Sequence, residues 1–195
     1  MMRLRSGLIT ALLTLSAALV PAHVSAQGTP VPPACTTPPR SWEQIEQLIA
    51  TPAPPEPERS GTLPWGEQVS LEDLLAIRAT VDQFIACSNT GEPLRVYGLY
   101  SDGYLQRLLA RDRPLIDAER YDSLATPVPS EPANGATLVE IRGARNILAT
   151  GQLGAIVTIA YPSVPEPKTF FFTFRYIDDD LRIDDILGEL TFSLP

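Results

Sequence analysis

Apolar residues recur at helical spacing through the first half of the chain and at sheet spacing through the second. Ile45, Leu48 and Ile49 line one side of a short segment, Ser41–Ala50, where Ser41 and Gln44 have capping-box spacing. The next helix is predicted over Leu71–Asn89, with Ser70 as cap and Asp73 three residues on. Leu71, Leu74, Leu75, Ile77, Val81, Phe84 and Ile85 are its expected buried stripe. Asn89-Thr90-Gly91 ends it, glycine being the residue that tolerates a left-handed cap. Pro93 then opens a short helix to Tyr100. Ser101-Asp102 starts a third, with Tyr104, Leu105, Leu108 and Leu109 inward, and Pro114–Leu124 adds a further turn or two.

Beyond Ala136 the period shortens to that of a strand. Strands are expected over Thr137–Leu148, with a bulge at Gly143, then over Leu153–Tyr161 and Thr169–Ile177. Asp178-Asp179-Asp180 turns the chain into Leu181–Leu187, and Leu190–Leu194 extends that strand or adds an edge. Phe170, Phe172, Phe174 and Tyr176 share one face. Burying each phenylalanine is worth roughly 1.5–3 kcal/mol, so that face needs a cover, and the helix at Leu71–Asn89 is the expected one. Helices first and an antiparallel meander afterwards define an α+β domain.

Half of the 20 prolines fall between Pro30 and Pro64, where long helices are excluded. The expected organisation is a leader at 1–26, a proline-rich strap at 27–68 carrying the short helix, and a globular domain at 69–195. Arg3 and Arg5 precede an uncharged apolar run from Leu8 to Val20, and Val24-Ser25-Ala26 offers a signal-peptidase site. A run of thirteen residues is too short to span a bilayer, so an exported protein without a membrane anchor is expected.

Export changes three further expectations. Cys35 and Cys87, the only cysteines, enter an oxidising compartment and are expected to pair. The chain's one histidine, His23, leaves with the leader, so catalysis or metal ligation by histidine is excluded. Losing Arg3 and Arg5 moves the net charge from −8 to −10, which argues against nucleic acid and anionic membrane surfaces as partners. No cofactor or metal is implied. Asp178, Asp179, Asp180, Asp184 and Asp185 lack the alternating spacing of a calcium loop and are expected at a solvated hairpin tip, with Asp184 and Asp185 pointing oppositely.

Three stretches resemble the nuclear transport factor 2-like superfamily, also called ketosteroid-isomerase-like. They are the helix ending in Cys87-Ser88-Asn89-Thr90-Gly91-Glu92-Pro93, the turn Leu99-Tyr100-Ser101-Asp102-Gly103-Tyr104, and the closing meander with Leu181-Arg182-Ile183-Asp184-Asp185-Ile186. The resemblance covers about residues 69–190. It implies a cone-shaped, curved antiparallel sheet packed against N-terminal helices, of the cystatin-like kind, around an apolar pocket. Such cones host isomerases, dehydratases, cyclases and binding domains. Dehydratase chemistry with a His–Asp pair is excluded here. An isomerase would need a buried carboxylate and a phenol, for which Tyr97, Tyr100, Asp102 and Tyr104 are the candidates, Asp102 serving otherwise as a helix cap. Arg142 and Arg145 either anchor an anion or pair with acids on a neighbouring strand. The expected function is non-enzymatic binding of a small apolar ligand or a protein partner. A histidine-free isomerase or cyclase, and a structural or homodimerising domain, are the alternatives.

Overall fold

Ser41 and Gln44 show how closely local chemistry governs this chain. Ser41 Oγ accepts from the Gln44 N–H at 3.3 Å while Gln44 Oε1 accepts from the Ser41 N–H at 3.0 Å, and α1 (Trp42–Ala50) follows. These positions come from a computed structural model, which describes residues 34–57, 63–111, 117–131 and 134–188. The leader with His23, the first residues of the Pro114–Leu124 segment and the extension at Leu190–Leu194 lie outside the described residues.

Three of the other helices begin on side-chain caps as well, and one begins on a proline. Ser70 Oγ accepts from the Asp73 N–H and starts α2 (Leu71–Asn89), after which Gly91 turns the chain at φ +63°. Pro93 is the first residue of α3 (Pro93–Gly98). Ser101 Oγ accepts from the Tyr104 N–H at the head of α4 (Asp102–Arg111), and Asp117 caps α5 (Ala118–Ala125).

Five strands form one antiparallel sheet in the order β1-β2-β3-β4-β5, neither closed nor strongly curled. They are β1 (Gly66–Gln68), β2 (Thr137–Ile147), β3 (Gln152–Ala160), β4 (Lys168–Ile177) and β5 (Asp180–Leu187). The bulge expected near Gly143 is present: the β2–β3 register slips between Arg142 and Arg145, and Gly143 sits at φ +59°, where a side chain would be strained. Asp178 and Asp179, at φ 50° and 67°, make the tight β4–β5 turn whose twist suits a two-residue hairpin.

The main core lies between the helices and one sheet face. Ile77, Val81 and Ile85 of α2, Leu105 and Leu109 of α4, and Ile45 and Leu48 of α1 meet Leu153, Val157, Phe172, Phe174 and Ile183. The opposite face carries a smaller cluster, Ile147, Ile156 and Phe171, with Leu63 and Leu187 at its margin. Gly154 makes room for it, since a Cβ there would stand 2.6 Å from the Phe171 ring.

The strap belongs to this body. Cys35 is bonded to Cys87 near the end of α2. Beside it Gln83 accepts from the Thr36 N–H and donates to the Ala34 carbonyl, and Arg95 donates to the Thr37 carbonyl at 2.7 Å. No helix among the described residues is long and apolar enough to cross a membrane.

Two expectations need correcting. The stripe of α2 begins at Ile77: Leu71 is 71% exposed, Leu75 is also exposed, and Leu74 is only partly covered, because the first turn stands off from β2. The strap also ends in a strand, β1, which pairs with Arg145–Ile147 of β2. Three residues, one lacking a side chain and two polar, carry no alternation from which it could have been predicted.

Candidate functional site

The turn between α3 and α4 gathers the tyrosines. The rings of Tyr97 and Tyr100 are 6.2 Å apart, and those of Tyr100 and Tyr104 are 4.9 Å apart, edge to face. Main-chain bonds position the turn against the sheet edge: the Ser101 N–H donates to the Ile183 carbonyl and the Ile183 N–H to that of Leu99, each at 2.8 Å. Tyr100 and Tyr104 therefore sit in the main core, where burial, reinforced by the neighbouring phenols of Tyr104, Tyr97 and Tyr161, pushes the Tyr100 hydroxyl well above the ordinary tyrosine range.

Asp102 does not join them. Its side chain is 64% exposed and pairs with Arg40 at 2.8 Å, while Ser101, not Asp102, provides the cap. Arg40 also donates to the Tyr97 and Tyr100 carbonyls, so the strap holds this carboxylate outside the aromatic cluster. The phenols that an enolate would need are assembled, but the carboxylate expected beside them faces outward.

The Tyr100 shift has a consequence for stability. A phenol harder to ionise in the folded state contributes stability that is complete below the unfolded value near pH 10. That contribution is lost as pH rises through the raised folded value. Stability is therefore expected to fall steeply above about pH 10, and Tyr100→Phe to flatten that fall, as measured by urea midpoints between pH 8 and 11.

The acidic run of the last hairpin divides in two. Asp178, Asp179 and Asp180 are exposed at the tip, as expected, whereas Asp184 and Asp185 are buried. The cause is a bulge in the β4–β5 register: Thr173 pairs with Asp185 and Phe174 with Ile183, which leaves Asp184 unpaired and turns both aspartates toward one cavity. Asp184 Oδ1 accepts from Ser101 Oγ at 2.5 Å, and Oδ2 accepts from Gln152 Nε2 and, at 3.3 Å, from Arg175. Arg107 of α4 donates to the Asp184 carbonyl at 2.8 Å. The sequence held a sign of this. Leu181 and Ile183 alternate, but the next apolar residue is Ile186, three positions on, which is the trace of an inserted residue.

Arg142 lies 3.6 Å from Glu140 of its own strand, and Arg145 donates to the Gly143 and Pro64 carbonyls, pinning the strap. Among the described residues no cluster of side chains is arranged to hold a metal ion.

Several hollows open among the described residues, and two of them lie on opposite faces of the sheet. A groove of about 440 Å³ runs between the start of α2 and the β2 bulge, lined by Val69, Leu71, Leu74, Ile141 and Ala144. The other, about 400 Å³, lies on the opposite face beside Asp184 and Asp185. No family model, curated protein or solved structure matches this chain.

Proposed function

We propose that this chain is an exported, non-enzymatic binding domain of the nuclear transport factor 2-like kind, its cone opened into a flatter sheet, and that it takes a small apolar ligand. The succession of helices followed by an antiparallel meander supports the family reading, as does the aromatic row under α2. The Cys35–Cys87 bond fits the oxidising compartment that the leader implies.

One observation carries the functional reading: Leu71 and Leu75 are exposed, and Leu71 and Leu74 form the lip of the groove. Its volume of about 440 Å³ lies in the ~300–1,000 Å³ range of small-molecule sites. The space beneath the aromatic row, where a closed cone keeps its pocket, is occupied by core side chains. The groove is thus an apolar hollow that a ligand can reach. Covering one of its leucines is worth up to ~1.5–3 kcal/mol.

A panel of fluorescent apolar probes and medium-chain fatty acids tests this by saturable binding and thermal shift. Leu74→Asp is expected to weaken binding at least tenfold while leaving the unfolding midpoint within a few degrees, because the position is already partly open to water. Unchanged binding in that variant would sink the groove. A wild-type dimer that the same substitution splits, with no probe bound, would replace this reading with the dimerising one. Turnover of a ketosteroid-like or polyketide-like substrate, abolished by Asp102→Asn, would establish the isomerase instead.

A further inference from the structure

The cavity on the other sheet face is lined by two opposite charges, Asp185 and Arg107, that no oppositely charged side chain among the described residues pairs with. Asp185 is 5% exposed, yet the hydrogen bond its carboxylate makes among the described residues is a local one, from the Ile186 N–H at 2.9 Å. No cationic side chain among the described residues pairs with it. A buried carboxylate without a cation is costly, and proteins ordinarily pair it or give it a ligand. Asp184 beside it is not in that position, being held by Ser101, Gln152 and Arg175.

Arg107 lines the same cavity from α4. Its guanidinium lies over the Tyr104 ring at 5.7 Å and donates to the Asp184 carbonyl. Among the described residues no carboxylate pairs with it, and it does not pair with Asp185. Two contacts fix its position while leaving further N–H donors in the fork. Pro55, Pro64, Ile147 and Leu187 supply apolar wall between and around the charges.

We infer that this cavity binds a small zwitterion, a free α-amino acid with an apolar side chain, with its ammonium on Asp185 and its carboxylate on Arg107. A monovalent cation or a simple anion would satisfy one of these charges and strand the other. A neutral apolar ligand would strand both and add the cost of covering them. The zwitterion satisfies each with a charge-assisted hydrogen bond, and the proline and aliphatic wall takes the side chain. The cavity, at about 400 Å³, has room for a molecule the size of leucine. This site lies across the sheet from the groove, so its fate is independent of the apolar-ligand reading.

Isothermal titration with L-leucine, L-leucinamide and 4-methylpentanoate separates the charges. L-leucine is expected to bind saturably, and each singly charged analogue at least tenfold more weakly. Asp185→Asn keeps the shape and the acceptor for the Ile186 N–H, and is expected to reduce leucine binding at least tenfold while leaving 4-methylpentanoate unchanged. Ala149→Trp, at an exposed position of the cavity wall, is expected to abolish leucine binding in a chain whose unfolding midpoint is unaltered, so a folding defect in Asp185→Asn would not protect the proposal. No leucine binding by the unaltered protein would overturn it. So would leucinamide binding as tightly as leucine, or leucine binding undiminished in the Ala149→Trp chain.

Discussion

Replacing Cys35 and Cys87 together by serine is expected to lower the free energy of unfolding by about 4 kcal/mol, the loop-entropy value for a bridge spanning 52 residues. The prediction concerns the whole molecule, not a frayed end. Beyond Cys35 the strap delivers α1, and Ile45 and Leu48 of α1 lie in the main core against α4 and the sheet. It also delivers β1, which covers the edge of β2, and Leu63, which borders the cluster on the other face. Releasing the strap uncovers both sides of the sheet at once. Urea unfolding followed separately by tryptophan fluorescence, from Trp42 and Trp65, and by far-ultraviolet dichroism checks this. The two probes are expected to shift together to lower denaturant. An early fluorescence change, with dichroism unmoved, would mean that the strap is only tethered.

Much of this architecture was legible because local chemistry and burial agree. Ser41 with Gln44, Ser70 with Asp73, and Pro93 each mark a helix start, and each helix begins there. Gly143 breaks the alternation of β2 at the point where the register slips. Illegible features are those set by what comes to lie opposite. Leu71, Leu74 and Leu75 continue the helical period of Ile77 and Val81, and periodicity cannot tell how far along α2 the sheet extends. The pairing partner that makes Gly66–Gln68 a strand lies about 80 residues away in β2.

The candidate sites follow the same division. Grouping Tyr97, Tyr100 and Tyr104 needed only helical spacing and a turn, and the rings do meet. The position of Asp102 depended on Arg40, far away in the strap, and so the carboxylate proved to be outside. Asp184 and Asp185 looked like more of a charged hairpin tip because a strict alternation sends neighbours to opposite faces. One inserted residue reverses that, and converts two surface charges into the floor of a cavity. Both hollows proposed as ligand sites lie beside bulges: the groove abuts that of β2 and the cavity at Asp185 abuts that of β5.

The second large effect is expected along the aromatic row of β4, and it is graded. Phe172→Ala should cost about 3–5 kcal/mol, the usual loss for a phenylalanine truncated in a rigid core. Phe172 is 1% exposed, stands edge-on to Phe84 of α2 with ring centres 5.6 Å apart, and pairs across the sheet with Ala155 and Ile186. Ala155 offers no bulk with which to close the void. Phe174 is equally enclosed and belongs with it, whereas Phe170 only borders the core. Tyr176, at the exposed end, keeps a hydrogen bond from its hydroxyl to Asp73 Oδ1 at 2.9 Å, so Tyr176→Ala should cost no more than about 1 kcal/mol. Urea midpoints at constant slope, in the order Tyr176 above Phe170 above Phe172, are the expected series. Equal losses at all four positions would mean that the row is covered uniformly, as in a closed cone. A loss at Phe171 alone would place the principal core on the opposite face. The graded outcome fits only an open sheet whose centre is capped by α2 and whose turn-proximal end projects beyond the cap.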